Sequence, residues 1–223
     1  MSNTFLDIIA SRHCKRAFLD KLVPTDLLET VLNAAQQAPS SKNTQSWQAT
    51  VVRGTKLNEL SDALCEQFDR GEPAKPDYEY MSEPMDDIYK ERARATGHRL
   101  FELKGIGRKD FEGRKAHGRE NFTFFGAPIQ MIFHLPSNAQ PGMFLDMGLY
   151  MQTVMLGLTA VGLGSCPQFS IASYPDAIRS CLGLSSDRII ASGMSIGYVD
   201  ETAKINGFIP ERLPLEAVIS WQE

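Results

Sequence analysis

Clustered cysteine and histidine are missing from this sequence. The four cysteines, Cys14, Cys65, Cys166 and Cys181, lie far apart, with no C-x-x-C pair and no histidine pair at metal-ligand spacing. Zinc sites use such spacings, so their absence argues against a bound metal. An excess of positive charge is also missing. The net charge is −4, which argues against nucleic acid as a partner.

A secretory leader and a membrane span are not evident either. The N-terminus lacks a basic segment followed by an apolar one, because Asp7 interrupts its early apolar run. The run from Met143 to Gly164 is apolar, but it contains Asp146, Gln152 and Thr153 together with several glycines. These features favour a buried core or interface helix over a membrane span. We therefore expect a cytoplasmic protein with no membrane partner.

No set of side chains for acid–base or nucleophilic catalysis stands out. His134 lies near the end of an apolar strand pattern, which favours a core or strand-end histidine over a base. Nothing in the sequence places a base beside Cys166. The segment Gly162-Leu163-Gly164 follows a helical pattern and lacks the third glycine of a dinucleotide fingerprint. These absences are compatible with chemistry carried by a bound cofactor.

Two stretches near the N-terminus are rich in ligand-binding groups. The run from Ser11 to Phe18 concentrates four positively ionisable side chains and a thiol in five consecutive positions. A dense cationic turn suits a phosphate, although a solvated basic turn is the alternative. The run from Ala38 to Trp47 is small and polar, and its side chains can offer donors and acceptors to the edge of a heteroaromatic ring.

Hydrophobic periodicity alternates helices with short strands. It predicts helices from a cap at Thr4, from Thr25 or Asp26, over about 56–68 and 143–161, and after Tyr174. Strands are expected over 48–53, 129–135 and 188–199, with a strand or loop at 166–169. This uneven alternation predicts an α/β or α+β fold in which helices surround a small sheet.

The middle of the chain differs from the rest in composition. Residues 69–84 carry three prolines and are expected to form a hinge or linker. Residues 85–120 are rich in charge and only sparsely apolar, so helices there should be partly exposed. We expect a single domain over residues 1–223, with a lid insertion at about 69–120 that folds over the site.

These motifs, in this order, resemble the nitroreductase family of FMN-dependent flavoproteins. The resemblance rests on SRHCKRAF followed by APSSKNTQSW, on the paired-glycine segment Gly162 to Pro167, and on the tail Asn206 to Glu216. It implies a nitroreductase-like fold with a small mixed β-sheet between helices, a long core or interface helix and a lid. It also implies a homodimer with FMN at the interface.

Positions that match the family motifs imply which residues hold the cofactor. Arg12, Arg16 and Arg212 would meet the phosphate, and three cations favour a phosphate monoester dianion over a carboxylate. Cys14 stands where the family commonly has a hydroxyl. Because a thiol is the weaker donor, its backbone contact is the firmer expectation. His13 belongs to the same cofactor-binding segment, although its side chain is expected to face outward.

Two further segments complete the implied flavin site. One is the polar loop, which would contact the flavin of the partner subunit. The alternative is that this loop is only a helix C-terminal turn with polar groups at the surface. It comprises Ser40, Ser41, Asn43 and Gln45. The other follows the paired glycines and would pass the reactive edge of the flavin. It comprises Ser165, Cys166, Pro167 and Gln168.

The resemblance also implies a ping-pong reaction. NADH or NADPH would reduce FMN at N5 and leave, and an electron-poor acceptor would then be reduced on the same face. Nitroaromatics, giving nitroso and then hydroxylamine products, are the expected acceptors, with quinones and activated alkenes as alternatives. Deiodinases of this family carry a Glu four residues before a Tyr of the lid. In this chain the residues four positions before Tyr78, Tyr80 and Tyr89 are Ala74, Pro76 and Met85, which argues against dehalogenation. A flavin-storing protein or a sensor is the non-enzymatic alternative.

Aromatic residues in and after the insertion are expected to contact the acceptor. They are Tyr80, Tyr89 and Phe124. Phe124 belongs to the aromatic cluster Asn121 to Pro128, for which core packing is the alternative interpretation. No protein side chain is expected to act as a catalytic residue, because the flavin would carry the chemistry.

Overall fold

A four-stranded sheet lies at the centre of the fold. The computed structural model describes residues 4–80 and 84–223. Its strands are β1 (Gln48–Arg53), β2 (Ile129–Pro136), β3 (Gly164–Gln168) and β4 (Arg188–Gly197). Their order across the sheet is β1-β2-β4-β3. Strand β2 is buried along almost its whole length, as its central place in the sheet requires.

The predicted sandwich of helices around a small sheet is confirmed, with one correction. All three strand pairings are antiparallel, so the sheet is not mixed. Strands β2 and β3 do run in the same direction, as in a parallel crossover. Strand β4 lies between them and runs opposite to both. The succession of elements along the sequence does not reveal that the last strand inserts between two earlier ones.

Seven α-helices surround the sheet in the described residues. They are α1 (Phe5–Ser11), α2 (Thr25–Ala35), α3 (Thr55–Asp69), α4 (Asp87–Leu103), α5 (Phe111–Arg119), α6 (Pro141–Ala160) and α7 (Pro175–Leu182). The capping box predicted for α1 is present, because Thr4 and Asp7 bond to each other's backbone N–H groups. Proline occupies the first turn of α7, as predicted, and also of α6.

The sheet separates two hydrophobic clusters. Met131 and Phe133 of β2 pack in the cluster that contains side chains of α2 and α6. Ile132, between them, points to the opposite face and packs in the cluster that contains side chains of α3 and α7. This alternation follows from the two-residue repeat of a strand. Helices therefore cover both faces of the sheet.

Helix α6 packs closely against α2 through a small residue. A Cβ atom on Gly157 would lie 2.9 Å from Cγ1 of Val31, which is closer than side-chain atoms normally approach. The glycine thus permits this close approach of the two helices. Across residues 4–80 and 84–223, no helix has the length and apolar character needed to cross a membrane.

The predicted insertion contains two largely exposed helices. In the described chain, Leu100 is the one buried residue of α4, and α5 has no buried residue. Gly118 of α5 lies against the ring of Phe68 in α3. Residues 81–83 of the predicted linker lie outside the described residues. A lid role for the insertion, within a single domain, stays a prediction.

Candidate functional site

The cationic turn at residues 12–16 is fixed to two distant parts of the chain. Lys15 donates its backbone N–H to the carbonyl of Ser165 in β3 at 3.0 Å. Arg16 donates its backbone N–H to Oδ1 of Asn206 at 2.6 Å. The structure thus brings together the N-terminal motif, the paired-glycine segment and the C-terminal motif. Asn206, only 2% exposed, organises this contact and is absent from the predicted site residues.

The prediction that His13 faces outward is corrected. Its side chain and that of Lys15 are half-buried, and Lys15 Nζ lies 2.9 Å from His13 Nε2. Gly164 explains this packing, because a Cβ there would lie 3.0 Å from Cγ of Lys15. Since a lysine ammonium can only donate, Nε2 of His13 accepts, which leaves the proton on Nδ1. That Nδ1 is buried and has no hydrogen-bond partner among the described residues.

Cys14 and Cys166 form a thiol pair that sequence spacing does not reveal. The neighbouring Cys166 thiol stabilises the thiolate of Cys14 and, with the guanidiniums of Arg16 and Arg12, lowers the pKa of Cys14 to about 6. The same pairing, together with burial, raises the pKa of Cys166, whose sulfur also lies 3.8 Å from the carbonyl oxygen of Pro167. Cys14 is half-buried and Cys166 is buried, and neither is in a disulfide. Cys14 therefore adds an anionic sulfur to an otherwise cationic turn.

Alkylation of Cys14 by iodoacetamide is expected to reach half its maximal rate near pH 6, because the thiolate is the reacting form. Peptide mass spectrometry across a pH series measures this rate. Cys181 is an internal control, because burial raises its pKa and its alkylation should increase only in alkali. In Cys166→Ala, the Cys14 midpoint should move upward. A wild-type midpoint above about pH 8, where an ordinary thiol titrates, would contradict the proposed pairing.

The predicted polar loop is held by a buried carboxylate of α6. Ser41 donates its backbone N–H to the Asp146 carboxylate, 3.2 Å from each oxygen. Gln45 donates its N–H to Oγ of Ser40 at 3.0 Å. Asn43 and Gln45 have positive φ angles of 56° and 47°, which non-glycine residues rarely adopt and which concentrate at functional sites. Asp146, 6% exposed, is the supporting residue that the sequence does not identify.

This loop and the cationic turn are not joined within one chain. Among the described residues, no hydrogen bond links residues 40–45 to residues 12–16. The loop rests on α6, whereas the turn rests on β3 and on Asn206. The two predicted sets of flavin contacts are therefore held in place by different elements of the protomer.

Strand β3 is anchored by a buried chain of polar side chains. Gln168 donates Nε2 to the carbonyl of Asn121 at 2.7 Å, and its Oε1 lies 2.6 Å from Oγ of Ser195. The carboxamide oxygen of Gln130 lies 3.0 Å from the same hydroxyl, while Gln130 Nε2 has no partner. The Ser195 hydroxyl has one proton and can donate it to only one of the two amide oxygens. If the Gln130 amide is rotated by a half-turn, its NH2 group donates to the Ser195 oxygen, and the Ser195 hydroxyl donates to Gln168 Oε1.

An aromatic cavity of about 780 Å³ opens where β3 ends. Phe169, the residue after Gln168, forms part of its wall. Its ring stacks on Tyr80 with centroids 5.5 Å apart and planes within 5°. Tyr78 and Phe144 form a second pair, with centroids 4.7 Å apart. The Tyr78 hydroxyl donates to the carbonyl of Ala191 at 2.6 Å, which fixes this wall to β4.

The three predicted acceptor-contacting aromatics differ in placement. Tyr80 lines the cavity and is 52% exposed. Tyr89 lies on α4 beside Arg92 and is not among the cavity residues. Phe124 is 1% exposed and packs in the hydrophobic cluster under α3, so the core-packing alternative holds for it. Phe169 was missed, although it directly follows the predicted segment that ends at Gln168.

Arg212 lies on an exposed C-terminal tail. Its Nη1 donates to the carbonyls of Pro210 and Glu211 at 3.0 and 3.1 Å. It lines a second cavity of about 790 Å³ together with Arg92 and Arg99 of α4. The structure thus groups Arg212 with other cations, but on the α4 side and not in hydrogen-bonding contact with the turn at residues 12–16.

His134 lies in strand β2, where the sequence predicts a strand histidine. His134 is 5% exposed and accepts a hydrogen bond from Arg188 at Nδ1, 3.0 Å away. Burial and the Arg188 charge lower its pKa to about 4, so it is a neutral strand histidine. Within the described parts of the chain, no group of three or more His, Cys, Asp or Glu residues could hold a metal ion.

Comparison with known proteins places these observations in a family. A profile described as the nitroreductase family matches residues 9–198. A chloronitrobenzene nitroreductase of Comamonas testosteroni is 33% identical over 94% of this chain and 93% of that protein. A 4-nitrobenzoate reductase of Pseudomonas putida is 34% identical over 97% and 93%. The crystal structure of the FMN and NADPH-dependent nitroreductase NfnB from "sphigopyxis sp. strain HMH" is 37% identical, covers 99% of this chain and 100% of its own, and superposes with a TM-score of 0.96.

Proposed function

Because this chain belongs to the nitroreductase family, we propose that it is an FMN-dependent oxidoreductase that uses NADPH or NADH to reduce nitroaromatic compounds. The observation that carries the proposal is the convergence of the cationic turn, β3 and the C-terminal motif on one place in the fold. These are three of the four segments that the family resemblance assigns to the flavin, and the polar loop is the fourth.

The residues present fit the phosphate of FMN. In residues 4–80 and 84–223, neither Arg12 nor Arg16 forms an ion pair with a carboxylate, although both are half-buried. The buried Nδ1 of His13 is a donor without an acceptor. Half-buried cations and a free donor favour an anionic ligand that offers several oxygens. Arg12 and Arg16 would hold the phosphate, and Arg212 would approach it from the tail.

The remaining predicted contacts would orient the ring. Ser165, Cys166, Pro167 and Gln168 would lie along its reactive edge, with β3 kept in place by the bonds of Gln168 to Asn121 and Ser195. Bound FMN would supply hydride acceptance and donation, which no side chain of this protein provides. The protein would bind the reactants in turn, stack them on aromatic walls and exclude water.

A homodimer with FMN at the interface is part of this proposal. Apolar side chains are exposed on α6 and on the C-terminal tail, where burial against a second copy would remove them from water. The clearest examples are Leu145 (69% exposed), Ile209 (66%) and Trp221 (80%). The partner's polar loop would then complete each flavin site.

An anaerobic visible spectrum of the purified protein tests the proposed function. We expect a flavin spectrum that NADPH or NADH bleaches and that a nitroarene restores. A quinone in place of the nitroarene tests the alternative acceptor class. Bound flavin that no nicotinamide reduces would favour storage or sensing, and failure to bind FMN at all would refute the site assignment. Light scattering on the same sample should give twice the mass of one chain.

A further inference from the structure

The charge of the aromatic cavity distinguishes between acceptor classes. Among the described residues that line it, Glu79, which is exposed, is the one with a charged side chain. The phenol of Tyr78 stays neutral, because burial raises its pKa to about 12. Among the described residues, the lining contains no Lys, Arg or His. A ligand that carries a carboxylate would need such a cation to form an ion pair.

The aromatic walls suit a flat, uncharged ring. Tyr80 and Phe169 stack so closely, at 5.5 Å, that a ligand ring would lie against their outer faces and not between them. Both rings remain about half exposed, at 52% and 48%. Phe169 begins directly after the segment proposed to pass the flavin edge, so a ring bound here would lie beside that edge.

We propose that this cavity selects uncharged nitroarenes over nitrobenzoates, and that Glu79 sets the selection. The proposal rests on the proposed function and names its substrate class. Sequence relatedness does not decide the matter, because the chloronitrobenzene and nitrobenzoate enzymes are 33% and 34% identical to this chain. A benzoate in the cavity would meet a like charge and, among the described lining residues, no compensating cation, whereas a neutral ring would meet mainly aromatic and aliphatic walls and no charge repulsion.

The kinetic test compares 4-nitrobenzamide with 4-nitrobenzoate, which have nearly the same shape and differ in charge. In the wild-type holoenzyme, we expect kcat/KM to favour the amide by about 10-fold or more. Glu79→Gln should reduce this ratio by about 5-fold, and Glu79→Lys by about 10-fold or more. Glu29→Lys, an exposed charge reversal on α2, is the matched control and should leave the ratio within about two-fold. Comparing ratios between variants cancels the different intrinsic reactivities of the two nitro groups.

A binding measurement separates this proposal from the proposed function. Calorimetry with benzamide and benzoate, on oxidised protein, needs no turnover. Tighter binding of benzamide that is reversed by Glu79→Lys supports the selection even if the flavin is not reduced. Equal binding of both ligands in wild type and Glu79→Lys overturns it, as does a wild-type kinetic preference for the benzoate. Failure of NADPH to bleach the flavin would overturn the proposed function alone.

Discussion

Replacing Arg212 by Ala is expected to weaken FMN binding by about 100-fold, the usual loss when one charge-assisted contact to a phosphate is removed. Fluorescence titration of the apoprotein with FMN measures the affinity. Arg70→Ala is the matched control, because Arg70 is an exposed arginine whose partner is Glu66 on the same helix. We expect Arg70→Ala to bind FMN like the wild type.

The Arg212 experiment also tests the geometry of the tail. In one chain, Arg212 lies beside Arg92 and Arg99 and not against the turn at residues 12–16. Wild-type affinity in Arg212→Ala would refute its assignment to the phosphate. In that case the half-buried guanidiniums of Arg12 and Arg16 would hold the anion without help from the tail.

Replacing Ser195 by Ala is expected to lower the free energy of unfolding by about 2–3 kcal/mol, because it leaves buried amide groups of Gln168 and Gln130 unpaired. Urea denaturation monitored by circular dichroism measures the loss. Ser192→Ala is the matched control on the same strand. Ser192 is equally buried, but its hydroxyl bonds only to the neighbouring Gly193 carbonyl, so we expect a cost of about 1 kcal/mol or less.

Equal losses in the two serine variants would show that the polar chain adds nothing beyond an ordinary hydrogen bond. A larger loss in Ser195→Ala, with weaker FMN binding as well, would tie the stability of β3 to the site. The same strand end carries Gln168 and leads into Phe169, so a shift there would move both the proposed flavin edge and the cavity wall.

Local sequence signals predicted much of the fold. Thr4 and Asp7 marked the start of α1, and the apolar spacing of Leu28, Val31 and Ala35 predicted the buried face of α2. These signals succeed because capping and amphipathic burial depend on residues a few positions apart. The order and direction of the strands depend on pairings between distant segments, and local patterns do not encode them.

The site shows the same division. Arg12, Ser165 and the tail motif could be selected from the sequence, because the family resemblance assigns them together. The residues that hold these segments in place could not be selected from the sequence. From the sequence, Asp146 served only as an argument against a membrane span, yet its carboxylate accepts a hydrogen bond from the backbone N–H of Ser41. The contact between Cys14 and Cys166 joins positions far apart in the chain and becomes visible only when β3 lies beside the turn.

The position of β4 has a consequence for how the protein is made. β4 is the last strand to leave the ribosome, yet it must pair with β2 on one side and β3 on the other. Until about residue 197 has emerged, β2 and β3 have no shared neighbour in the sheet. At roughly 5–20 residues per second, the about 60 residues from the end of β2 to the end of β4 take several seconds to synthesise. Strand β2 therefore waits, partly unpaired, for a partner that is distant in the sequence, and such non-local pairing slows folding and leaves strand edges open to aggregation.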